Sequence, residues 1–141
     1  MALFKSTQTI KKPVEEVFAV VADAGSFASW NPTITASRKI DGNGGLGSTF
    51  EWKLRGFGAV AQEVGKYELN KRIRFVPHIN TLSGGHRFLF TAEGNYTRID
   101  HELEMVPHGW MKMFTPFMGM IGQKNLHDTV TALQKYIESK G

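Results

Sequence analysis

Hydrophobic and polar residues alternate along several segments in the middle of the chain. The clearest alternation spans residues 95–106, where Ile99, His101, Leu103 and Met105 share one parity and charged residues occupy the other. Successive side chains of a β-strand point to opposite faces, and one apolar face with one polar face is typical of an antiparallel sheet. The same reasoning predicts further strands at residues 3–10, 33–40, 48–55, 59–69, 72–76 and 86–92.

The spacing becomes helical directly after the first predicted strand. Pro13 suits the first turn of a helix, where its missing N–H needs no partner. Four residues then form one apolar face: Val14, Val17, Phe18 and Val21. We expect this helix to end at residues 23–25 and a second short helical turn to cover residues 26–29. Pro32 then forces the residue before it out of helical geometry. We expect these two short helices to close one end of a curved sheet, with Trp30 sealing the corner.

Residues 110–140 predict a long final helix with a possible kink at Pro116, and its two halves differ in composition. The second half carries ordinary aliphatic residues such as Leu126 and Leu133 at helical spacing. The first half is rich in adaptable or bulky apolar residues: Trp110, Met111, Met113, Phe114, Phe117, Met118, Met120 and Ile121. Such side chains pack in an ordinary core, but they also adapt to varied ligands. This contrast indicates a cavity beneath the first half of the helix.

The composition narrows the possible functions. The 141 residues suit one domain, predicted to span residues 1–141, and the absence of cysteine excludes disulfides and cysteine-ligated metals. No apolar run approaches the roughly 20 residues of a membrane span, and residues 1–13 lack a signal-peptide pattern. We therefore expect a cytoplasmic protein without integral membrane association. The net charge of +4 is scattered over small clusters, so no nucleic-acid partner is predicted.

Two features of the sequence bear on cofactor and metal binding. Residues 42–47, Gly-Asn-Gly-Gly-Leu-Gly, fit the letters of a dinucleotide-binding fingerprint, but they precede a predicted strand, whereas that fingerprint must open a helix. A hairpin is the better interpretation, and no cofactor is predicted. The five histidines form neither an HxH nor an HExxH pair, so no metal site is predicted either.

His101 is the one weak candidate for a catalytic residue. It shares the apolar face of its strand with Ile99, Leu103 and Met105, so it must find a partner or water in the interior. One interpretation is a structural histidine with a satisfied hydrogen bond. The other is a polar group in a ligand cavity, which orients a carbonyl or hydroxyl and acts as acid or base. His86 shares parity with Phe88 and Phe90 and is also expected to face inward, nearer the mouth.

Several segments together resemble a known family. They are residues 10–18 (Ile-Lys-Lys-Pro-Val-Glu-Glu-Val-Phe), Asp23, Trp30-Asn31-Pro32, residues 47–50 (Gly-Ser-Thr-Phe), residues 94–99 and residues 132–138. This set resembles the polyketide cyclase/dehydrase-like family of the START and birch-pollen-allergen superfamily. The resemblance implies an α+β helix-grip fold, in which a curved antiparallel sheet of six to seven strands wraps a long C-terminal helix and two short helices follow the first strand. Members bind, carry or transform hydrophobic small molecules, and the family as a whole has no fixed catalytic set.

We therefore predict a hydrophobic or aromatic ligand, such as a lipid or polyketide, between the sheet and the final helix. A cavity of roughly 300 Å³ or more would suit such a ligand. One alternative is a cyclase, dehydratase or isomerase with His101 as acid–base, and a second is an interaction module with a filled cavity and an exposed patch at Trp110 or Phe114. The predicted ligand-binding residues are Phe50, Trp52, Phe75, Phe88, Phe90, His101, Met105, Phe117, Met120 and Ile121.

Overall fold

The computed structural model describes residues 2–139. The elements follow in the order β1 Ala2–Ile10, α1 Val14–Ala22, a 3-10 helix Ala24–Ser29, β2 Ile34–Asp41, β3 Thr49–Leu54, β4 Gly58–Glu68, β5 Arg72–His78, β6 Leu82–Glu93, β7 Tyr96–Pro107, a second 3-10 helix Gly109–Phe114, and α2 Thr115–Glu138. The predicted order of one strand, two short helices, six strands and a long helix is confirmed.

The strands form one seven-stranded sheet in the order β1-β7-β6-β5-β4-β3-β2, and every neighbouring pair is antiparallel. The first strand therefore pairs with the last, while β2 to β7 follow one another as a meander. One face of the sheet is buried and carries residues such as Val64, Phe75 and Ile99. The other face is polar and turned away from α2. The predicted helix-grip α+β fold is confirmed.

Two boundaries differ from the prediction. The long helix begins at Thr115, after a 3-10 helix at 109–114, and Pro116 lies in its first turn. A proline there needs no N–H partner, so it starts the helix and does not kink it. Strand β6 begins at Leu82, and Gly84 and Gly85 lie within it with φ of 107° and 110°. A side chain at either glycine would overlap backbone of a neighbouring strand, so close strand approach requires them there.

The two short helices are fixed to the sheet by an aromatic cluster. The ring of Phe27 stacks on Trp52 with 4.8 Å between centroids and tilts against Trp30 at 4.7 Å. The indole N–H of Trp52 donates a hydrogen bond of 2.9 Å to the carbonyl of Ala24. Trp30 is buried, with 8% of its surface exposed. This part of the interior is consequently filled with aromatic rings.

Helix α2 packs over β1 and β7, at one side of the sheet. Its buried residues recur at helical spacing, and Gly122 lies directly against the ring of Phe4. A buried amide joins the helix to the segment after the short helices, because Asn31 Nδ2 donates to Thr129 Oγ1 at 3.3 Å. No helix within residues 2–139 has both the length and the hydrophobicity needed to cross a bilayer.

Candidate functional site

A cavity lies on the inner side of the sheet, between β3, β4, β6, β7 and α2, and holds about 90 Å³ of free space. Its lining residues include Trp52, Val60, Gln62, Pro77, His86, Leu103, Met105, Ile121 and Asn125. Most of these side chains are apolar, and the polar ones come from three different elements. The volume is well below the roughly 300 Å³ that enclose a drug-sized ligand. A ligand of that size therefore needs more room than the structure shows.

Apart from His101, the predicted ligand-binding residues fall into three groups. Trp52, Met105 and Ile121 border the cavity together. Four phenylalanines of β3, β5 and β6 are at most 4% exposed and belong to the hydrophobic core: Phe50, Phe75, Phe88 and Phe90. Phe117 and Met120 of α2 are 53% and 70% exposed and do not border this cavity. The aromatic side chains of the inner face mostly fill the core beside the cavity.

The main polar feature of the site is a pair of histidines. Nδ1 of His86 on β6 lies 2.9 Å from Nε2 of His101 on β7, at hydrogen-bond distance. The two rings stack with 5.1 Å between centroids, and Phe88 covers His101 at 4.1 Å. His101 is 2% exposed and its Nδ1 has no hydrogen-bond partner, whereas His86 is only partly buried and borders the cavity. His86 thus connects the buried His101 to the cavity.

Both histidines are held in the neutral form. Burial lowers the pKa of His86 to about 4. Burial, and next the proximity of His86, lowers the pKa of His101 well below its usual value. The physical reason is that an imidazolium would lose its hydration among rings such as Phe88 and Trp52 and gain no carboxylate partner there. At neutral pH the pair therefore offers uncharged imidazole nitrogens.

The hydrogen bond between the rings couples their protonation. In a neutral pair, one of the two facing nitrogens carries the shared proton, and each ring carries one proton in total. When His101 donates, His86 carries its own proton on Nε2 and can donate to a ligand. When His86 donates through Nδ1, its Nε2 is a free acceptor. Nε2 of His86 has no partner within residues 2–139, so it is the atom of the pair available to a ligand in the cavity.

Sequence reasoning did not identify two polar residues of the site. Gln62 on β4 is 4% exposed, and its Oε1 is buried without a hydrogen-bond partner. The sequence did contain a signal for Gln62, because this polar residue stands between Val60 and Val64 on an otherwise apolar face of the strand. Asn125 on α2 carried no comparable signal. Across residues 2–139, no three His, Asp or Glu side chains lie close enough to hold a metal ion.

The fold is shared with solved structures of low sequence identity. A START superfamily protein from Mycobacterium smegmatis superposes with a TM-score of 0.77 at 17% identity, covering 99% of both chains. The Zhui aromatase/cyclase of a Streptomyces species gives 0.75 at 11% identity, over 97% of this chain and 93% of its own. Ara h 8.0201 gives 0.72 at 17% identity, over 98% of each chain. No functionally curated protein matches the chain in sequence.

The sequence itself matches one family profile, described as "Polyketide cyclase / dehydrase and lipid transport", over residues 1–138. This match covers every element from β1 to α2. It agrees with the resemblance seen in the sequence and with the fold of the START and aromatase/cyclase structures. The chain therefore belongs to the polyketide cyclase/dehydrase and lipid transport family.

Proposed function

We propose that the protein binds a hydrophobic small molecule carrying one hydroxyl or carbonyl group, in the cavity between the sheet and α2. The observation that carries this proposal is the neutral His86–His101 pair at the wall of an otherwise largely apolar cavity. Apolar contact supplies affinity at roughly 25 cal/mol per Å² buried. One hydrogen bond from or to His86 Nε2 supplies orientation, as is usual for apolar ligand sites.

Two further polar groups support a ligand with a polar end. Gln62 Oε1 is buried beside the same cavity and lacks a partner, which is unfavourable in the empty protein. Nδ1 of His101 is likewise buried without a hydrogen-bond partner. A hydroxyl or water bound with the ligand would satisfy Gln62 and remove that penalty. A purely apolar ligand would leave the Gln62 oxygen without a partner. The proposal therefore includes the hydroxyl or carbonyl group of the ligand.

The cavity must enlarge to hold such a ligand, and the beginning of α2 is the part able to move. Within residues 109–121 only Met111 and Met118 are buried, whereas Met113, Phe117 and Met120 are more than half exposed. Ile121 and Asn125 form the α2 side of the cavity. An outward shift of this first part of α2 would lengthen the cavity and leave the contacts of Leu126 and Leu133 intact.

The proposal is tested with a matched pair of probes, 1-naphthol and naphthalene, whose aromatic skeletons are identical and which differ by one hydroxyl. We expect both to raise the melting temperature and 1-naphthol to bind about tenfold more tightly, a difference of about 1.4 kcal/mol. In His86→Gln this difference should shrink, whereas His127→Gln, on the exposed side of α2, should keep it. Fatty acids, quinones, flavonoids and steroids extend the screen to larger ligands.

The location is tested separately with tryptophan substitutions on α2. Ile121→Trp adds bulk at the cavity wall and should abolish binding of 1-naphthol. Met120→Trp, one residue away but 70% exposed and outside the cavity, should not. If no apolar compound stabilises the protein, or if Ile121→Trp binds 1-naphthol as well as the wild type does, the proposal is wrong.

An enzyme acting on the same ligand is a second candidate, and one observation favours it. A catalytic acid–base needs a further polar group near the same point of the cavity. His86 occupies that position beside His101, and Gln62 borders the same space. His86 would exchange a proton with the ligand at Nε2 while His101 fixes its tautomer. Turnover of a polyketide-like substrate that falls at least about 100-fold more than substrate affinity does in His86→Gln would establish this role.

A further inference from the structure

Three cationic side chains stand side by side on the outer face of the sheet, opposite the face that borders the cavity. In the strand register Lys66 of β4 pairs with Arg74 of β5, and Arg74 pairs with Arg87 of β6. Directly paired residues of neighbouring strands have Cβ atoms about 5 Å apart, and like charges at this spacing destabilise a sheet. Such a row is therefore unfavourable unless nearby carboxylates or another anion offset the repulsion.

The nearby carboxylates are engaged by the neighbours of Arg74. Glu68 lies 3.5 Å from Lys66 and 3.3 Å from Arg72, and Glu104 lies 3.8 Å from Arg87. The side chain of Arg74 forms no ion pair or hydrogen bond with any residue in the described range 2–139, and its Nε is buried without a partner. A buried donor without a partner carries a desolvation penalty. The guanidinium of Arg74 therefore has no partner anion among the described residues.

These side chains line a groove with a volume of about 600 Å³. A β-bulge helps to shape it: between the pairs Val64–Phe75 and Lys66–Arg74, β4 advances by two residues and β5 by one. The extra residue is Gly65, which borders the groove and where a side chain would overlap Val76. Five cationic side chains border the groove against two carboxylates: Lys5, Lys66, Arg72, Arg74 and Arg87 against Asp100 and Glu102.

We propose that this groove binds the phosphate group of a phosphomonoester. The planar guanidinium of Arg74 would hold two phosphate oxygens, and Lys66 and Arg87 would flank it as further cations. A phosphate dianion neutralises more of the positive charge of three adjacent cations than a singly charged carboxylate does. Leu89, 41% exposed and also bordering the groove, offers apolar contact to the organic part of the ligand. The site is separate from the inner cavity and is independent of the ligand proposed there.

Calorimetric titration at constant ionic strength tests the site with phenyl phosphate and inorganic phosphate. We expect phenyl phosphate to bind with a Kd below about 1 mM, and Arg74→Gln to weaken it at least about tenfold. Arg38→Gln is the control, because Arg38 lies on β2 and pairs with Glu51 at 3.2 Å, outside the groove. Ile121→Trp, which fills the inner cavity, should leave phosphate binding unchanged.

A second arm distinguishes a soluble phosphate from a lipid headgroup. Sedimentation with phosphatidylcholine vesicles, with and without phosphatidic acid, shows whether the groove accepts a phosphomonoester held at a bilayer. Binding in either arm that depends on Arg74 and not on Arg38 supports the site, and the arm that responds identifies the source. If neither probe binds, or if Arg74→Gln and Arg38→Gln weaken binding equally, the proposal is overturned.

The stability of the ligand-free variant gives an independent readout. Removing Arg74 relieves the repulsion between neighbouring cations and the unpaired Nε, so Arg74→Gln should melt at the same temperature as the wild type or higher. Phenyl phosphate should raise the melting temperature of the wild type but not of Arg74→Gln. A lower melting temperature for the ligand-free variant would instead indicate that Arg74 stabilises the fold, which contradicts a site built for an external anion.

Discussion

Nδ1 of His86 and Nε2 of His101 lie 2.9 Å apart, so one hydrogen bond joins the inner faces of β6 and β7 through two neutral rings. The two residues are not directly opposite in the sheet, because His86 pairs with Leu103 and His101 pairs with Phe88. The contact is a diagonal one, within reach of side chains as long as histidine. Its consequence is that protonation of either ring places a charge in buried surroundings, and protonation of both rings removes the acceptor of the hydrogen bond.

The first prediction concerns the pH dependence of stability. The folded-state pKa of His86 is lowered to about 4, while the unfolded value is about 6.5, so the unfolded chain binds more protons between these values. The free energy of unfolding should therefore fall as the pH decreases through this window, by roughly 2 kcal/mol for His86 alone between about pH 7 and about pH 5. The lowered pKa of His101 adds to this loss in the same direction.

Urea unfolding at about pH 7, 6 and 5 measures this effect. The double variant His86→Gln, His101→Gln should show a clearly smaller loss of stability than the wild type across the window. His127→Gln is the control, because that residue is exposed on α2 and its removal should leave the pH dependence unchanged. Equal pH dependence in the double variant and the wild type would show that the pair is not held neutral by folding.

The second prediction concerns the hydrogen bond of Trp52. Trp52→Phe removes the indole N–H that bonds to the carbonyl of Ala24 and leaves a void beside Phe27. Truncating a buried aromatic and orphaning a buried carbonyl should together lower the free energy of unfolding by roughly 2–4 kcal/mol. Chemical unfolding followed by circular dichroism measures this loss of stability. Trp110→Phe, at a side chain that is 59% exposed, should change stability by less than about 0.5 kcal/mol; similar losses in both variants would contradict the argument.

The sequence predicted the fold well because the decisive signals are local. Period-two alternation located all seven strands, and the change to helical spacing located both helices. The errors occurred where a local signal has two meanings. Strand β6 was predicted to begin at residue 86, but Gly84 and Gly85 also lie in it, because the backbones of Glu104 and Phe75 approach too closely for a side chain there. Pro116 suggested a kink, but it starts α2.

The site was harder to predict, because it depends on which inward side chains meet. Parity alone placed His86 and His101 on the inner face, but their contact depends on the register between β6 and β7, which one sequence does not reveal. Parity likewise could not separate Phe75 and Phe88, which fill the core, from Trp52, which borders free space. That distinction depends on where α2 lies across the sheet.

The third prediction concerns Asn31, in the segment that follows the short helices. Its Oδ1 accepts hydrogen bonds from the N–H and the hydroxyl of Thr33 at 3.0 and 2.7 Å, and its Nδ2 donates to Thr129 on α2. Asn31 is 3% exposed and Thr129 is 1% exposed, so the contact between them has no ready access to water. Asn31→Ala should lower the free energy of unfolding by about 1–3 kcal/mol. Asn95→Ala, at an exposed turn, should be nearly neutral, and a comparable loss there would refute the assignment.

The last prediction compares the two glycines in the first half of α2. A methyl group at Gly119 would meet nothing within 4 Å, so Gly119→Ala should only improve helix propensity and stabilise the protein by about 0.5–1 kcal/mol. A methyl group at Gly122 would overlap the ring of Phe4 on β1, and overpacking of this kind costs about 1–3 kcal/mol. Thermal unfolding should therefore shift upward for Gly119→Ala and downward for Gly122→Ala. The combination Gly122→Ala, Phe4→Leu should recover part of the loss, because the shorter side chain vacates the overlapped space. If Gly122→Ala is as stabilising as Gly119→Ala, then α2 does not lie as closely against β1 as the structure shows, and the cavity beside it is wider.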